Sequence, residues 1–179
     1  MERKDAVTMK GMPMSLLGPE LRPGLNAPEF KVVDSDMKEV RLSDTKGKVR
    51  LIAAVPSLDT PVCHMEAVRF NQEAEKLPAD KVAVLVVSMD LPFASKRFCG
   101  AEGVRNLKAL SDHREASFGA AYGVLIKDLR LLSRAIFVID GNDMLRYVEY
   151  VREVGDHPDY EAALNAVREV AGITARAAA

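Results

Sequence analysis

The chain has 179 residues, of which 48% are hydrophobic, and its 25 Lys and Arg residues nearly balance its 26 Asp and Glu residues. This length and apolar content fit one domain of ordinary size, and the balanced, scattered charge gives no support for nucleic-acid or anionic-membrane binding. The N-terminal segment MERKDAVTMK lacks the apolar core of a signal peptide and no run approaches membrane-spanning length, so we expect a cytoplasmic protein without membrane contact.

The first part of the chain predicts two hairpins, a buried strand and a helix. Gly18 to Pro28 contains three prolines and two glycines, which is typical of a loop. The helix is predicted from a rough apolar face, and Pro78 ends it. The predicted elements are, in order, a hairpin of Val7–Met9 and Met14–Leu16, the loop, a hairpin of Phe30–Val33 and Glu39–Leu42, a polar turn from Ser43 to Lys48, a strand at Val49–Val55 and a helix from Pro61 to about Lys76.

The second part predicts strands that alternate with helices. One run is so apolar and β-branched that it favours a buried parallel strand, and Asp140-Gly141-Asn142-Asp143 is a strong turn signal. The predicted elements are that strand at Val82–Ser88, a helical segment opened by Asp90–Ala94 and ended by Gly100 and Gly103, a strand at Leu107–Leu110, a helix at Glu115–Tyr122, a hairpin of Arg134–Ile139 and Leu145–Val151, and a helix from Pro158 to about Val170.

This order of elements predicts an α/β protein with a mixed central sheet and crossover helices on its faces. The sequence shows neither an internal repeat nor a second domain, so we expect a single domain over residues 1–179. About residues 1–18 would form an N-terminal hairpin extension, and residues 173–179 would form a frayed tail.

Cys63 stands where a reactive cysteine is expected. It ends the segment Pro56-Ser57-Leu58-Asp59-Thr60-Pro61-Val62-Cys63, which follows the predicted buried strand. In the first turn of a helix, unpaired N–H groups and the positive end of the helix dipole favour a thiolate. Thr60 offers a hydroxyl to the sulfur or its substrate, and Pro61 suits a helix start. An isolated cysteine is more often a small buried hydrophobe, but this combination indicates a nucleophile.

The only other cysteine is Cys99. Two cysteines allow one intramolecular pair, and in a reducing compartment a cycling disulfide is commoner than a structural one. Taken alone Cys99 suits a structural role, whereas its polar, glycine-bounded surroundings and the lack of another partner favour a redox role. The sequence has no CxxC motif, and its three histidines are far apart, so no metal site is predicted.

Four segments, in the same order along the chain, resemble the peroxiredoxins, and most closely the bacterial thiol peroxidase subfamily of the atypical two-cysteine type. The resemblance covers roughly Met9 to Val170, and the third segment is the most specific to the subfamily. The four segments are Pro56-x-x-x-Thr60-x-x-Cys63, Asp90-Leu91-Pro92-Phe93-Ala94, Arg97-Phe98-Cys99-Gly100-Ala101-Glu102-Gly103 and Arg134-Ala135-Ile136-Phe137-Val138-Ile139-Asp140.

The resemblance implies a thioredoxin-like fold with an added N-terminal hairpin, and a cycle that reduces hydrogen peroxide and alkyl or lipid hydroperoxides. It implies that Cys63 is the peroxidatic cysteine and Cys99 the resolving one. Thr60 and Arg134 would bind and polarise the peroxide, and Pro56 would shield the thiolate. It further implies thioredoxin as reductant, a homodimer, and no metal, haem or flavin cofactor.

The residue types suit these implied roles. Attack on an O–O bond needs a thiolate, and it needs donors aimed at the oxygens where charge develops, which a guanidinium and a hydroxyl supply. The resulting sulfenic acid condenses with a second thiol. From residue chemistry alone, Arg134 suits an exposed edge cation equally well.

Several neighbouring residues have a structural interpretation that we prefer to a functional one. They are His64 as an exposed or interface residue, Asp59 as an acceptor for turn amides, Glu66 with Arg69 in a helix-surface ion pair or orienting Arg134, Asp90 as a helix cap, and Tyr122 and Phe93 as packing residues.

Two other functions remain open at this point. A peroxide-sensing redox regulatory protein would use the same thiolate, and only sustained turnover of reductant distinguishes it from a peroxidase. A thiol–disulfide oxidoreductase is disfavoured, because such enzymes generally need CxxC spacing.

Overall fold

The computed structural model describes residues 1–173. The strands in this range are β1 (Glu2–Met9), β2 (Met12–Leu17), β3 (Lys31–Val33), β4 (Glu39–Arg41), β5 (Val49–Ala54), β6 (Val82–Ser88), β7 (Lys108–Ser111), β8 (Leu125–Ile126), β9 (Ala135–Ile139) and β10 (Leu145–Tyr150). The helices are α1 (Pro61–Glu75), α2 (Pro92–Glu102), α3 (Ser117–Ala121) and α4 (Tyr160–Ala171), and a short 3₁₀ helix covers Leu42–Thr45. No helix among these residues has the length and apolar character to cross a membrane.

The main sheet has seven strands in the order β10-β9-β5-β6-β7-β3-β4. Strands β5, β6 and β7 run parallel, whereas β9 is antiparallel to β5 and β3 is antiparallel to β7. The two parallel connections contain α1 and α2, since a parallel crossover needs a long connection. Both cysteine-bearing helices therefore begin at the edge of the sheet where the parallel strands end.

Alternating side chains of the central strands fill two cores, one on each face of the sheet. Leu51 and Ala53 of β5 point into a core that also receives apolar side chains from α1, α2 and α4. Ile52 and Ala54 point to the opposite core, which also contains the aromatic rings of Phe118 in α3 and of Tyr122 at the end of α3. Burial on both faces explains the continuous apolar sequence of β5, and it fixes the position of the strand that precedes Cys63.

The N-terminal hairpin packs onto the domain. Strands β1 and β2 join β8 in a separate three-stranded sheet, over a small core of Val7, Leu16, Ile126 and Val154. The Glu153 carboxylate accepts hydrogen bonds from the Thr8 hydroxyl at 2.8 Å and from backbone N–H groups of the β1–β2 turn. These bonds lower the pKa of Glu153 to about 2. The hairpin thus holds the segment around Val154 against the body of the protein.

The predicted fold class is confirmed, and the differences lie in boundaries. The predicted strand Val82–Ser88 coincides with β6, and α1 and α4 end within one residue of the predicted positions. The helix predicted at Glu115–Tyr122 is shorter. Strand β8 was not predicted, because it has only two residues and is defined by its pairing with β2, which is distant in sequence. Residues 174–179 of the predicted tail lie outside the described residues.

Tyr122 packs as predicted. It is fully buried, stacks on Phe118 with ring centroids 4.4 Å apart, and donates its hydroxyl to the Pro28 carbonyl at 2.9 Å. Its position just before Gly123 places this aromatic cluster under the linker that follows the N-terminal hairpin.

Gly123 allows that linker to approach the end of α3. Its φ is +64°, and a Cβ at this position would lie 1.9 Å from the Pro19 carbonyl oxygen. Gly103 has the same φ of +64°, but a Cβ there would have no neighbour within 4 Å. Both replacements by Ala incur the left-handed backbone cost of about 1–2 kcal/mol, whereas only Gly123→Ala also creates a backbone clash.

We therefore predict that Gly123→Ala is less stable than Gly103→Ala by about 1–3 kcal/mol, the usual cost of overpacking. Urea unfolding of both variants under reducing conditions measures the difference. Equal free energies of unfolding would show that the linker moves away from α3 without cost.

Candidate active site

Cys63 lies in the first turn of α1 with 0% of its surface exposed. Thr60 precedes the helix in an extended conformation, Pro61 opens it, and the Thr60 carbonyl accepts a hydrogen bond from the His64 N–H at 2.9 Å. The N–H groups before His64 have no partner within the helix. The sulfur is therefore held at the positive end of α1, where a negative charge is stabilised.

Arg134 reaches Cys63 from the residue just before β9. Its Nη2 donates to Cys63 Sγ at 3.2 Å, its Nη1 donates to the Glu66 carboxylate, and its Nε donates to the Val154 carbonyl at 3.1 Å. The residue is 1% exposed, so the alternative of an exposed edge cation is wrong. Burial opposes the charge of the guanidinium, but Glu66 and Cys63 outweigh it and raise the pKa of Arg134.

Glu66 is part of this cluster, not of the helix surface. Its side chain has 0% exposure and pairs with Arg134, whereas Arg69 pairs with Glu161 at 2.7 Å. The predicted Glu66–Arg69 surface ion pair is therefore wrong, and the alternative of a contact with Arg134 is what the structure contains. Burial raises the pKa of Glu66 to about 7, although Arg134 opposes the shift. The spacing of three residues from Cys63 was the available sequence signal, since such residues share a helix face.

Asp90 organises the turn that precedes Cys63. Its carboxylate accepts hydrogen bonds from the Ser57 hydroxyl at 2.8 Å, the Leu58 N–H at 2.8 Å and the Ser88 hydroxyl at 2.9 Å. The prediction that Asp90 caps a helix is wrong, because Leu91 occupies the cap position of α2. Asp90 instead ties the loop after β5 to the end of β6, and so fixes where α1 begins.

Thr60 and Pro56 lie in the same turn, but neither contacts the sulfur through a hydrogen bond. The Thr60 hydroxyl donates to the Ser57 carbonyl at 3.1 Å. Pro56 lies two residues after the end of β5 and is buried. The structure therefore brings Cys63 and Arg134 together, whereas the Thr60 hydroxyl is turned toward the backbone and Pro56 makes no hydrogen bond to the sulfur.

Cys99 lies near the end of α2 as a half-buried, free thiol, and it packs against the same apolar core as Cys63. Burial raises the pKa of Cys99, and no guanidinium in the described part of the chain donates to its sulfur. Gly103 ends α2 in the left-handed conformation as predicted, whereas Gly100 lies inside the helix.

A pocket of about 510 Å³ opens between the first turn of α1 and α2. Thr60 and Phe98 line it, but Cys63 and Arg134 do not. Phe93 is 69% exposed and does not line the pocket, so the prediction that it is a packing residue is wrong. The thiol of Cys63 is therefore enclosed and does not face this open pocket, although Thr60 lies at the pocket's edge.

Two polar contacts cross the pocket to α2, one from the turn before α1 and one from α1 itself. Asp59 pairs with Arg97 at 3.2 Å, and His64 lies 3.2 Å from Glu102. The prediction that Asp59 binds turn amides is therefore wrong. His64 is half-buried, with its ring on the edge of this pocket. These pairs connect the helix of Cys63 with the helix of Cys99.

The topology and the buried thiol define a class, the proteins of thioredoxin-like fold that carry a cysteine in the first turn of the helix after a central strand. In residues 1–173 no group of three His, Cys, Asp or Glu side chains is placed to hold a metal ion.

Comparisons with known proteins identify the family. The family model described as Redoxin matches residues 22–164. A thiol peroxidase of Halalkalibacterium halodurans is 55% identical over 163 residues, which are 91% of this chain and 97% of that protein. A thiol peroxidase of Oceanobacillus iheyensis is 55% identical over 159 residues, or 89% and 96% of the two chains. The crystal structure of a peroxiredoxin-like protein from Aquifex aeolicus has a TM-score of 0.86 and 43% identity, and covers 93% and 97% of the two chains.

The chain therefore belongs to the Redoxin family. The predicted resemblance to the peroxiredoxins, and to the thiol peroxidases among them, is confirmed.

The pairing of Arg134 with Glu66 generates a stability prediction. Arg134→Ala leaves a buried carboxyl without its cation, which costs on the order of 3–5 kcal/mol when a buried pair is broken in this way. Without Arg134 no cation that the structure describes opposes the effect of burial, so the pKa of Glu66 rises further and the carboxyl is a stranded charge only at alkaline pH. Arg134→Ala combined with Glu66→Gln removes that charge, so we predict that the double variant is more stable than the single one at alkaline pH. In a Cys99→Ser background, both variants should be alkylated at Cys63 by iodoacetamide more slowly than the parent, because the thiolate loses its cation.

Thermal unfolding and alkylation rates test the two halves of this prediction. A double variant no more stable than Arg134→Ala would show that Glu66 is not stranded, and normal alkylation would show that Arg134 does not stabilise the thiolate.

Proposed function

We propose that the protein is a thiol peroxidase, an oxidoreductase that reduces hydrogen peroxide and organic hydroperoxides at Cys63. The observation that carries the proposal is the Arg134 guanidinium, 3.2 Å from a sulfur in the first turn of α1. A cation and a helix start together stabilise a thiolate, the form of cysteine that attacks peroxides. The thiol peroxidases to which the chain is similar support this substrate class.

In the first step the Cys63 thiolate attacks one peroxide oxygen in line with the O–O bond. A sulfur–oxygen bond forms, the O–O bond breaks, and the leaving oxygen takes a proton to give water or an alcohol. Sulfur is oxidised to a sulfenic acid by two electrons, and the peroxide is reduced by the same two. Arg134 stabilises the charge that moves along the oxygens, as donors do in an oxyanion site.

Thr60 and Pro56 complete the proposed peroxide site. The Thr60 hydroxyl, which donates to the Ser57 carbonyl in the described state, rotates to donate to the bound peroxide. Pro56, buried two residues after the end of β5, shields the thiolate from water. Exclusion of water keeps the attraction between the thiolate and the Arg134 guanidinium strong.

In the second step the Cys99 thiol condenses with the sulfenic acid. A Cys63–Cys99 disulfide forms and one water leaves, so sulfur undergoes no further net oxidation. Thioredoxin then returns both cysteines to thiols by disulfide exchange: its dithiol supplies the two electrons and is itself oxidised to a disulfide. Both cysteines are free in the described structure, which corresponds to the reduced state of this cycle.

The remaining features of the proposal concern the setting of the enzyme. One domain carries both cysteines, and the protein works as a homodimer in the cytoplasm. Exposed apolar side chains on and near the cysteine helices, Met65, Leu91 and Phe93, support association of two copies. Two free thiols suit a reducing compartment.

The two cysteines should differ in their order of reaction. Cys63→Ser should abolish peroxide turnover, because the remaining thiol has no guanidinium partner and a pKa raised by burial. Cys99→Ser should complete one turnover and retain a sulfenic acid on Cys63. Mass spectrometry after one equivalent of peroxide identifies the oxidised residue, and a coupled assay with thioredoxin and its reductase measures turnover.

Oxidation that lands first on Cys99 would overturn the assignment of roles. Oxidation of Cys63 without sustained consumption of reductant would instead favour the peroxide-sensing regulatory protein, since a sensor reacts once for each oxidation event.

Disulfide formation should require local unwinding of the two helices. A disulfide needs the two Cα atoms within about 7 Å and the sulfurs in bonding contact, whereas here both thiols are free and each cysteine lies inside an intact helix. The Asp59–Arg97 and His64–Glu102 contacts join the start of α1 to α2 across the pocket. We predict that oxidation removes hydrogen-exchange protection at residues 62–66 and 97–103 and leaves β6 unchanged. Arg97→Gln should speed disulfide formation, because it removes one of these ties.

Lys108→Gln is a matched control, since it removes an exposed cation that takes no part in the contacts between the start of α1 and α2. Unchanged protection around both cysteines after oxidation would contradict the rearrangement.

A further inference from the structure

Glu66 holds a carboxylate oxygen that has no hydrogen-bond partner among residues 1–173. Its Oε2 accepts from Arg134 Nη1, but its Oε1 is buried without a donor. The side chain as a whole has 0% exposure. A buried anionic oxygen without a donor is costly, and the cost falls when the carboxyl takes up a proton.

One cation serves two acidic groups in this cluster. Arg134 donates to Glu66 through Nη1 and to Cys63 Sγ through Nη2, the latter at 3.2 Å. With both acids ionised the cluster carries one net negative charge where water does not reach, and with only one ionised it is neutral. Burial favours the neutral arrangement, in which one of the two acids keeps its proton.

The neighbouring elements do not relieve this competition. Tyr160 of α4 stays neutral at physiological pH, because burial raises its pKa to about 12, and its hydroxyl lies 2.8 Å from His157 Nδ1. Glu149 of β10 adds negative charge, which contributes to the raised pKa of Glu66.

Arg69 is the further cation on the same helix, and its charge is engaged elsewhere. Its guanidinium lies over the Tyr160 ring at 4.2 Å and pairs with Glu161 on the surface. The thiol and the carboxyl must therefore divide the charge of a single guanidinium.

We propose that Cys63 and Glu66 share one proton, so that formation of the thiolate is coupled to protonation of the carboxyl, with Arg134 as their common partner. Glu66 is thus a positioning residue that sets how much of the guanidinium charge Cys63 receives. A protonated Glu66 leaves that charge to the thiolate, and an ionised Glu66 takes part of it. The inference deepens the proposed role of Cys63 as a thiolate.

Two acids coupled in this way lose their protons in two macroscopic steps that belong to the pair. The first proton leaves either sulfur or carboxyl, and the second leaves only at higher pH, against the charge already present. The pKa of Glu66, raised to about 7 by burial, places this exchange in the physiological range.

The experiment follows the ultraviolet absorbance of the thiolate against pH in the reduced protein, with Cys99→Ser in every variant so that one thiol is observed. The reference should show two steps separated by more than about one pH unit, the threshold for coupled sites. Glu66→Gln keeps an acceptor for Arg134 without the charge, and it should show one step that is complete at lower pH. Glu75→Gln, at the exposed end of the same helix, should match the reference.

A reciprocal measurement does not depend on the folding of Glu66→Gln. In Cys63→Ser no thiolate competes for Arg134, so the Glu66 carboxyl, observed by infrared or carbon NMR, should ionise at lower pH than in the reference. Linkage requires that each group shifts the other by the same factor.

A single thiolate step with one midpoint in the reference, Glu66→Gln and Glu75→Gln would overturn the proposal. A Glu66 midpoint that is unmoved by the loss of Cys63 would overturn it as well. Neither titration uses peroxide, so failure of the proton sharing leaves the peroxidase proposal standing, and absence of peroxide turnover leaves the titrations interpretable.

Discussion

A guanidinium with almost no exposed surface is the constraint on which the site depends. Arg134 uses its three nitrogens for a sulfur, a carboxylate and a backbone carbonyl. A buried cation is tolerated only when its donors are paired. The three acceptors must therefore be held in place around Arg134 before its guanidinium can stabilise a thiolate. The fixed fork of the guanidinium turns this requirement into a geometry, which the ammonium of Lys would not do.

The fold meets the constraint by bringing three separate parts of the chain to one point. Antiparallel pairing of β9 with β5 places Arg134 beside the start of α1, which carries both Cys63 and Glu66. The third acceptor, the Val154 carbonyl, belongs to a segment that the N-terminal hairpin holds through Glu153. The hairpin therefore lies far from the cysteine in sequence and yet supports the position of its cation.

The sequence predicted the parts of this arrangement that local patterns determine. The apolar run of β5, the proline at the start of α1 and the β-branched run of β6 specify strands and a helix start through neighbouring residues alone. The contacts of Glu66 and Asp90 could not be predicted with certainty, because their partners, Arg134 and Ser57, are distant in sequence. For Glu66, its position in the helix did not decide between a surface contact and a buried one. Phe93 shows the reverse error, since an aromatic residue in an apolar segment predicts packing that the described chain does not provide.

The cluster also exposes a conflict between stability and chemistry. Because burial raises the pKa of Glu66 from 4.5 to about 7, the folded state binds its proton more tightly than the unfolded state does. The free energy of unfolding therefore falls as pH rises through that interval, and the loss is complete above it. Replacing buried ion pairs by apolar side chains is often neutral or stabilising. The Arg134–Glu66 pair weakens the fold near neutral pH and yet contacts Cys63 through Arg134. The proposed reactivity of Cys63 explains this cost, since no apolar substitute would stabilise a thiolate.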